Sequence, residues 1–63
     1  MEKGKWEIVE TVIDGVRHYR AERKLRADSA AGPDNEEHYG VWSPDRDAVE
    51  VLVDLLNEKE AEA

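Results

Sequence analysis

Residues 5–25, KWEIVETVIDGVRHYRAERKL, decide the fold of this 63-residue chain. Two runs rich in β-branched and aromatic residues flank the pair Asp14-Gly15, and such runs are typical of β-strands. An Asp-Gly pair between them is the strongest short hairpin signal, because a type I′ turn needs positive φ at both central positions. The sequence therefore predicts strands over 5–13 and 16–25, joined by a two-residue turn.

This turn also predicts the register of the hairpin, in which Ile13 faces Val16 and the pairing continues outward from there. Alternation then places Arg23 beside Trp6, where its guanidinium can lie over the indole ring. One pair argues against the register, because Glu7 faces Glu22. The face predicted to point to the core carries Trp6, Ile8, Val12, Tyr19, Ala21 and Leu25.

The rest of the chain predicts a loop, a third strand and a helix. Residues 27–37 are small, polar and turn-forming, which favours a mobile loop. Residues 37–43 are predicted to form a strand, in which Gly40 indicates a bulge or close packing against a bulky neighbour. Ser43 is the predicted N-cap and Pro44 the first helical residue, with the helix reaching about residue 60 and fraying over 60–63.

The predicted fold is therefore a single small α+β domain, 1–63, of order β-β-β-α. A three-stranded antiparallel sheet has the C-terminal helix packed on one face. The predicted buried residues are Trp6, Ile8, Tyr19, Ala21, Val41, Leu52 and Leu56. A helix needs an apolar stripe only somewhat wider than about 100° to pack on a sheet, and the stripe here spans about twice that.

The excess apolar surface predicts self-association, most simply as a homodimer, since a small monomer that exposes it would be poorly stable. One part lies on the sheet face away from the predicted core and the other at the rims of the helical stripe. The predicted self-association residues are Val9, Ile13, Val16, Val51 and Val53.

Composition and motifs argue against several functional classes. The chain has no cysteine, which excludes disulfides and cysteine-ligated zinc and favours a cytoplasmic protein. Its first residues lack the apolar core of a signal peptide, and no apolar run approaches a membrane span of about 20 residues. Neither a nucleophile motif nor a phosphate loop occurs, and His18 and His38 lie on different predicted strands. We therefore expect no enzyme activity, no cofactor and no metal.

The charge distribution gives two hypotheses for function. The net charge is −7, yet five of the nine Lys and Arg residues fall within 16–27. The leading hypothesis is an acidic module that binds a basic protein, for which acidity serving only solubility is the alternative explanation. The predicted acidic surface comprises Glu36, Glu37, Asp47, Glu50, Asp54 and Glu58.

The second hypothesis is nucleic-acid binding by the basic strand, whose residues alternate along one sheet face. The acidic composition opposes it at long range, since nucleic-acid-binding domains usually have a basic isoelectric point and this chain has one of about 4.7. Charge balance for neighbouring acids explains the same run of residues. The predicted stripe comprises His18, Arg20, Lys24 and Arg26.

The hairpin also resembles a group of short uncharacterised bacterial proteins, many in clostridia and their mobile elements, with the pattern W-x-V-x-x-T-x-I-D-G-x-x-x-Y-x-x-x-R. The group then has an aromatic residue before an acidic helix ending in L-N, and the resemblance continues here in Trp42 and, within the predicted helix, in Ala48, Leu52 and Leu56-Asn57. It implies a mobile-element setting, and it assigns no functional residue. The matching hairpin residues are Trp6, Thr11, Ile13, Asp14, Gly15, Tyr19 and Arg23.

Overall fold

The computed structural model of the protein describes residues 3–62 and shows the predicted β-β-β-α order. Three strands form an antiparallel sheet in the order β1-β2-β3, and one helix follows them. A single turn of 3₁₀-helix, Pro33–Asn35, interrupts the loop before the third strand. The elements are β1 Glu7–Ile13, β2 Val16–Arg23, β3 Glu37–Ser43 and α1 Arg46–Glu62.

The hairpin and its register are confirmed. Asp14 and Gly15 have φ of 51° and 77°, as a type I′ turn requires, and Ile13 pairs with Val16. Glu7 does face Glu22, as the register demands. The repulsion between them is relieved by Arg20, whose Nη2 donates a 2.6 Å hydrogen bond to Glu22 Oε2. The register thus tolerates a like-charge pair because a cation lies next to it.

The third strand contains a bulge at Gly40, which confirms the first of the two explanations that the sequence suggested for this glycine. Ala21 pairs with Tyr39 and Tyr19 pairs with Ser43, so β3 has extra residues between these positions. Gly40 has φ of 81°, and a Cβ atom there would meet nothing within 4 Å, so close packing was wrong as its explanation. The prediction that Val41 is buried was also wrong. It is 84% exposed, because the bulge removes it from the regular alternation of the strand.

The helix begins later than the sequence predicted, and its N-cap is Asp45 rather than Ser43. Ala48 N–H donates to Asp45 Oδ1 at 3.1 Å, and Val49 N–H donates to the Asp45 carbonyl at 3.3 Å. Pro44 therefore precedes the helix. Ser43 still contributes, since its Oγ accepts the Asp45 N–H at 3.1 Å and fixes the approach of the chain. The helix continues to Glu62, and residue 63 lies outside the described residues.

The core lies between the helix and the first two strands. Its buried members are Trp6, Ala21, Val49 and Val53. The predicted core residues Ile8, Tyr19, Leu52 and Leu56 are half-buried and pack against them.

The hairpin end extends beyond this core. Val12, predicted to face the core, is instead 63% exposed. The physical reason is that β3 ends opposite Tyr19, so the hairpin end projects past the third strand.

The helix lies over β2 and β1, with little contact to β3. Asn57 fixes this position, because its side chain forms two hydrogen bonds with the Trp6 backbone. Trp6 N–H donates to Asn57 Oδ1 at 2.9 Å, and Asn57 Nδ2 donates to the Trp6 carbonyl at 3.1 Å. These bonds satisfy the backbone N–H and carbonyl of the residue just before β1. Because they hold α1 over β1 and β2, the face of β3 is less covered than that of the other strands. Within residues 3–62, no helix combines the length and the apolar composition of a membrane span.

The loop between β2 and β3 is organised by one buried side chain. Asn35 is only 3% exposed, and its Oδ1 accepts the Arg26 N–H at 2.7 Å. Its Nδ2 donates to the carbonyls of Arg26 and Ala30 at 3.1 and 3.0 Å, with a longer contact of 3.4 Å to Ser29. The loop therefore has an internal scaffold, whereas its mobility stays a prediction.

Candidate functional site

The outer surface of α1 carries a row of four carboxylates, which we call the acidic stripe. Its members recur at spacings of three and four, so they lie on one side of the helix. All four side chains are exposed, on the side turned away from the core residues Val49 and Val53. At a rise of about 1.5 Å per residue the stripe is about 16 Å long. It comprises Asp47, Glu50, Asp54 and Glu58.

The stripe keeps most of its negative charge. Arg46 Nη1 lies 2.8 Å from Glu50 Oε2, an exposed pair one helical turn apart whose interaction water largely screens. Within residues 3–62, none of the other three carboxylates forms an ion pair with Lys or Arg. Asp47 also lies in the first turn of α1, where the helix dipole stabilises its negative charge.

Two predicted members of the acidic surface do not belong to this stripe. Glu36 is exposed but precedes β3, on a different element. Glu37 begins β3, and its Oε1 accepts a hydrogen bond from Arg23 Nε. The Glu37 carboxylate thus stabilises the fold and is not free to bind a partner. Residue periodicity does not predict this contact, because pairing of β2 with β3 brings Arg23 next to Glu37.

Arg23 is the centre of the largest charge cluster in the described structure. Its guanidinium lies 4.6 Å from the centroid of the Trp6 ring, as predicted, and its Nη1 donates to Glu60 Oε1 at 2.8 Å. Desolvation lowers the pKa of Arg23, but hydrogen bonds and charge from Glu37 and Glu60 outweigh it, so the net shift is upward. The cluster joins β2, β3 and the end of α1 around an arginine whose side chain is 8% exposed.

Replacing Arg23 with alanine is expected to lower the free energy of unfolding by about 1–2 kcal/mol. The change removes the stack on Trp6 and leaves Glu37 without its partner. Arg17→Ala is the matched control, since Arg17 is exposed at the hairpin end, and it should change stability by less than about 0.5 kcal/mol. Urea unfolding followed by circular dichroism measures both, and equal losses would contradict a structural role for Arg23.

The basic run does not form the predicted row of available cations. His18 Nδ1 lies 2.9 Å from the Val16 carbonyl oxygen, which accepts a hydrogen bond from it. The Arg20 guanidinium stacks 4.1 Å from the centroid of the Trp42 ring and is bonded to Glu22. Since β2 ends at Arg23, alternation does not carry the row on to Lys24 and Arg26.

The clustered positive charge is therefore partly explained by structure. Arg20 and Arg23 each stack on a tryptophan and bind glutamate side chains. Arg26 is exposed, and its backbone is held by Asn35. The charges of Arg20 and Arg23 are therefore balanced by neighbouring glutamates.

The predicted self-association residues fall into different environments. Val53 is 7% exposed and belongs to the core of the monomer, so it is not part of an exposed rim. Val9 is half-buried, whereas Ile13 and Val16 are 39% and 52% exposed near the hairpin end. Val51, on the helix, is 58% exposed.

The acidic stripe is thus the one predicted site that folding leaves exposed and assembled on a single element. No known protein family matches the chain, and neither a curated protein nor a solved structure is significantly similar to it. The geometry of its own surfaces therefore carries the functional argument.

Proposed function

We propose that the protein is a non-catalytic interaction module that binds a basic surface of another protein through the acidic stripe of α1. The observation that carries the proposal is the set of four exposed carboxylates in one row on a helix held against the sheet. Because the carboxylates lie on a helix that is already ordered, little conformational entropy is lost when they bind a partner. It also steers a basic partner toward the correct face before contact.

The spacing of the stripe suggests what such a partner normally binds. Four charges spread over about 16 Å give one charge per 5 Å or so. A nucleic-acid strand carries one charge per about 3.4 Å of helix axis, which is a similar density along a line. A helix of this kind can therefore occupy a nucleic-acid-binding groove of a basic protein and act as its inhibitor. The mobile-element setting implied by the hairpin resemblance fits this role, and the lack of cysteine favours a cytoplasmic one.

The alternative, nucleic-acid binding through 16–27, is less well supported by these contacts. Arg20 donates two hydrogen bonds to Glu22, so a phosphate would have to compete with this carboxylate for the N–H groups of the guanidinium. The overall charge of −7 opposes the approach of a polyanion.

Neutralising the acidic stripe is expected to abolish capture of the partner without altering the fold. The variant Asp47→Asn, Glu50→Gln, Asp54→Asn, Glu58→Gln keeps size and polarity while removing four charges. Tagged protein is incubated with lysate of the source organism at two salt concentrations, and enriched proteins are identified by mass spectrometry. The wild type should enrich a basic protein whose recovery falls as salt rises.

A matched control removes four charges elsewhere. Glu7→Gln, Glu10→Gln, Asp28→Asn and Asp34→Asn are changes at exposed positions on strands and loop. This variant has the same net charge as the stripe variant and should still capture the partner. If both variants lose the partner equally, net charge and not the stripe is responsible. If the wild type enriches no basic protein, the proposal is wrong and acidity serves solubility.

A further inference from the structure

The isolated chain exposes more surface than a compact monomer of its size. Its accessible surface is 4791 Å², whereas a folded monomer of 7.2 kDa is expected to expose about 4,100 Å². Its radius of gyration is 12.2 Å, against about 10.6 Å for a compact domain of this length. The excess, roughly 700 Å², is close to the share of about 800 Å² that each partner buries in a standard protein interface.

Part of this surface is an apolar strip on α1, which we call the helix flank. Val51 and Leu55 are 58% and 52% exposed, and Ala48 is exposed one turn before them. These residues are spaced by three and four, so they form one continuous line on the helix. Leu52, half-buried, joins the line to the core.

The helix flank faces the side of the sheet that α1 leaves open. Asn57 is bonded to Trp6, which precedes β1. Leu55 is two residues from Asn57, or about 200° around the helix, so it lies on the opposite side, toward β3. Tyr39 on β3, whose ring meets Trp6 edge-on with centroids 6.4 Å apart, is itself 54% exposed. Tyr39 is thus a second exposed apolar side chain, on the part of the sheet that α1 does not cover.

We propose that a second copy of the chain covers this region, with its α1 packed antiparallel against the helix flank across a two-fold axis. The spacing of Ala48, Val51 and Leu55 is that of the seam in a coiled-coil pair. The midpoint of this line lies between residues 51 and 52, which places the axis there. Ala48 then lies opposite Leu55 of the second copy, and a small residue against a large one permits close approach.

Charge favours the antiparallel orientation. It brings Lys59, in the last turn of α1, next to the N-cap Asp45 and the first-turn Asp47 of the second copy. Glu58 approaches the same two carboxylates, whereas a parallel pair would set Glu58 and Asp47 each against its own copy. A parallel pair would instead set Lys59 against its own copy and align both helix dipoles. Among residues 3–61, whose side chains the structure describes, Lys59 forms no ion pair, so forming this contact breaks none of the ion pairs found there.

Two other dimer surfaces fit the structure less well. Pairing through the free edge of β3 is hindered by the bulge at Gly40, which disrupts the ladder that an added strand would extend. The exposed apolar residues of the hairpin end do not form one patch, because Ile13 and Val16 pair on one face of the sheet whereas Val12, paired with Arg17, lies on the other.

Sedimentation of the wild type is expected to give about 14 kDa, twice the chain mass of 7.2 kDa. The variant Val51→Glu, Leu55→Glu should sediment at 7.2 kDa, because both positions are exposed in the monomer and glutamate keeps helix propensity. The control Val12→Glu, Val16→Glu adds the same charge at the hairpin end and should remain dimeric. A wild-type monomer at millimolar concentration, or a dimer lost only in the control, overturns the proposal.

A cysteine at Val51 gives a second readout that does not depend on the stability of a monomeric variant. The chain has no other cysteine, and residue 51 lies beside the two-fold axis. Val51→Cys should form a disulfide-linked dimer under mild oxidation, whereas Val12→Cys should not. Equal cross-linking of both, or none at Val51, contradicts the proposed axis.

Salt separates this proposal from the proposed function. Each copy carries a charge of −7, so screening should strengthen the dimer, whereas it should weaken binding of a basic partner. Dimer affinity that falls as salt rises would contradict an apolar seam between two acidic chains.

Discussion

Trp6→Ala is expected to lower the free energy of unfolding by about 3–5 kcal/mol, which leaves the domain largely unfolded at room temperature. Trp6 is 7% exposed and is the largest member of a core that otherwise holds Ala21 and two valines. Its ring also supports the Arg23 guanidinium and the edge of Tyr39. A domain of this size has little stability to lose, because it buries only about 60% of its unfolded surface.

Trp42→Ala is the matched control for this prediction. Trp42 is also stacked under an arginine, Arg20, but it is half-buried and lies outside the core cluster. We expect a loss of about 1–2 kcal/mol, since less apolar area returns to water. Urea unfolding followed by far-UV circular dichroism compares the two variants. Equal losses would show that the core is not centred on Trp6.

Asn35→Ala is expected to cost about 2–3 kcal/mol, the next largest effect. The change leaves the Arg26 N–H without its acceptor and removes the donor that binds the carbonyls of Arg26 and Ala30. Alanine cannot replace these bonds, and the loop would expose its backbone to water. The loop between β2 and β3 should then become open to proteases while β1 and β2 remain paired.

Asp34→Ala serves as the control for Asn35, because Asp34 is the preceding residue, is exposed, and should change stability by less than about 0.5 kcal/mol. Limited proteolysis with mass spectrometry locates the cleavage sites, and urea unfolding gives the free energies. If wild type and Asn35→Ala are cleaved at the same sites and at the same rates, Asn35 is not the scaffold of the loop.

The hairpin, its register and the order of elements could be predicted because they rest on local rules. Asp14-Gly15 determines the turn, and the turn determines which residues of the two strands face each other. The acidic stripe could be predicted for the same reason, since a helical period places Asp47, Glu50 and Asp54 on one side wherever the helix packs. The stack of Arg23 on Trp6 also follows from register alone.

Other features depend on where the elements meet in space. The helix lies over β1 and β2 because Asn57 binds the Trp6 backbone across a separation of 51 residues, and no local pattern encodes that pairing. This position decides that Val53 is buried and Val51 is exposed, although both lie at the rims of the same apolar arc.

The sequence by itself thus determined the hairpin, the order of elements and the acidic row, because short-range sterics and periodicity act along the chain. Only the tertiary structure decided that Glu37 pairs with Arg23, that Asn35 holds the loop and that Val41 is exposed at the bulge. None of these features follows from a helix or strand period, since Asn35 binds backbone groups five and nine residues before it and Glu37 pairs with Arg23 across 14 residues. The coverage of the sheet is decided by how a helix about 10 Å wide lies on strands that are about 4.8 Å apart. One helix covers about two such strands, and the third keeps the open face that we assign to a second copy.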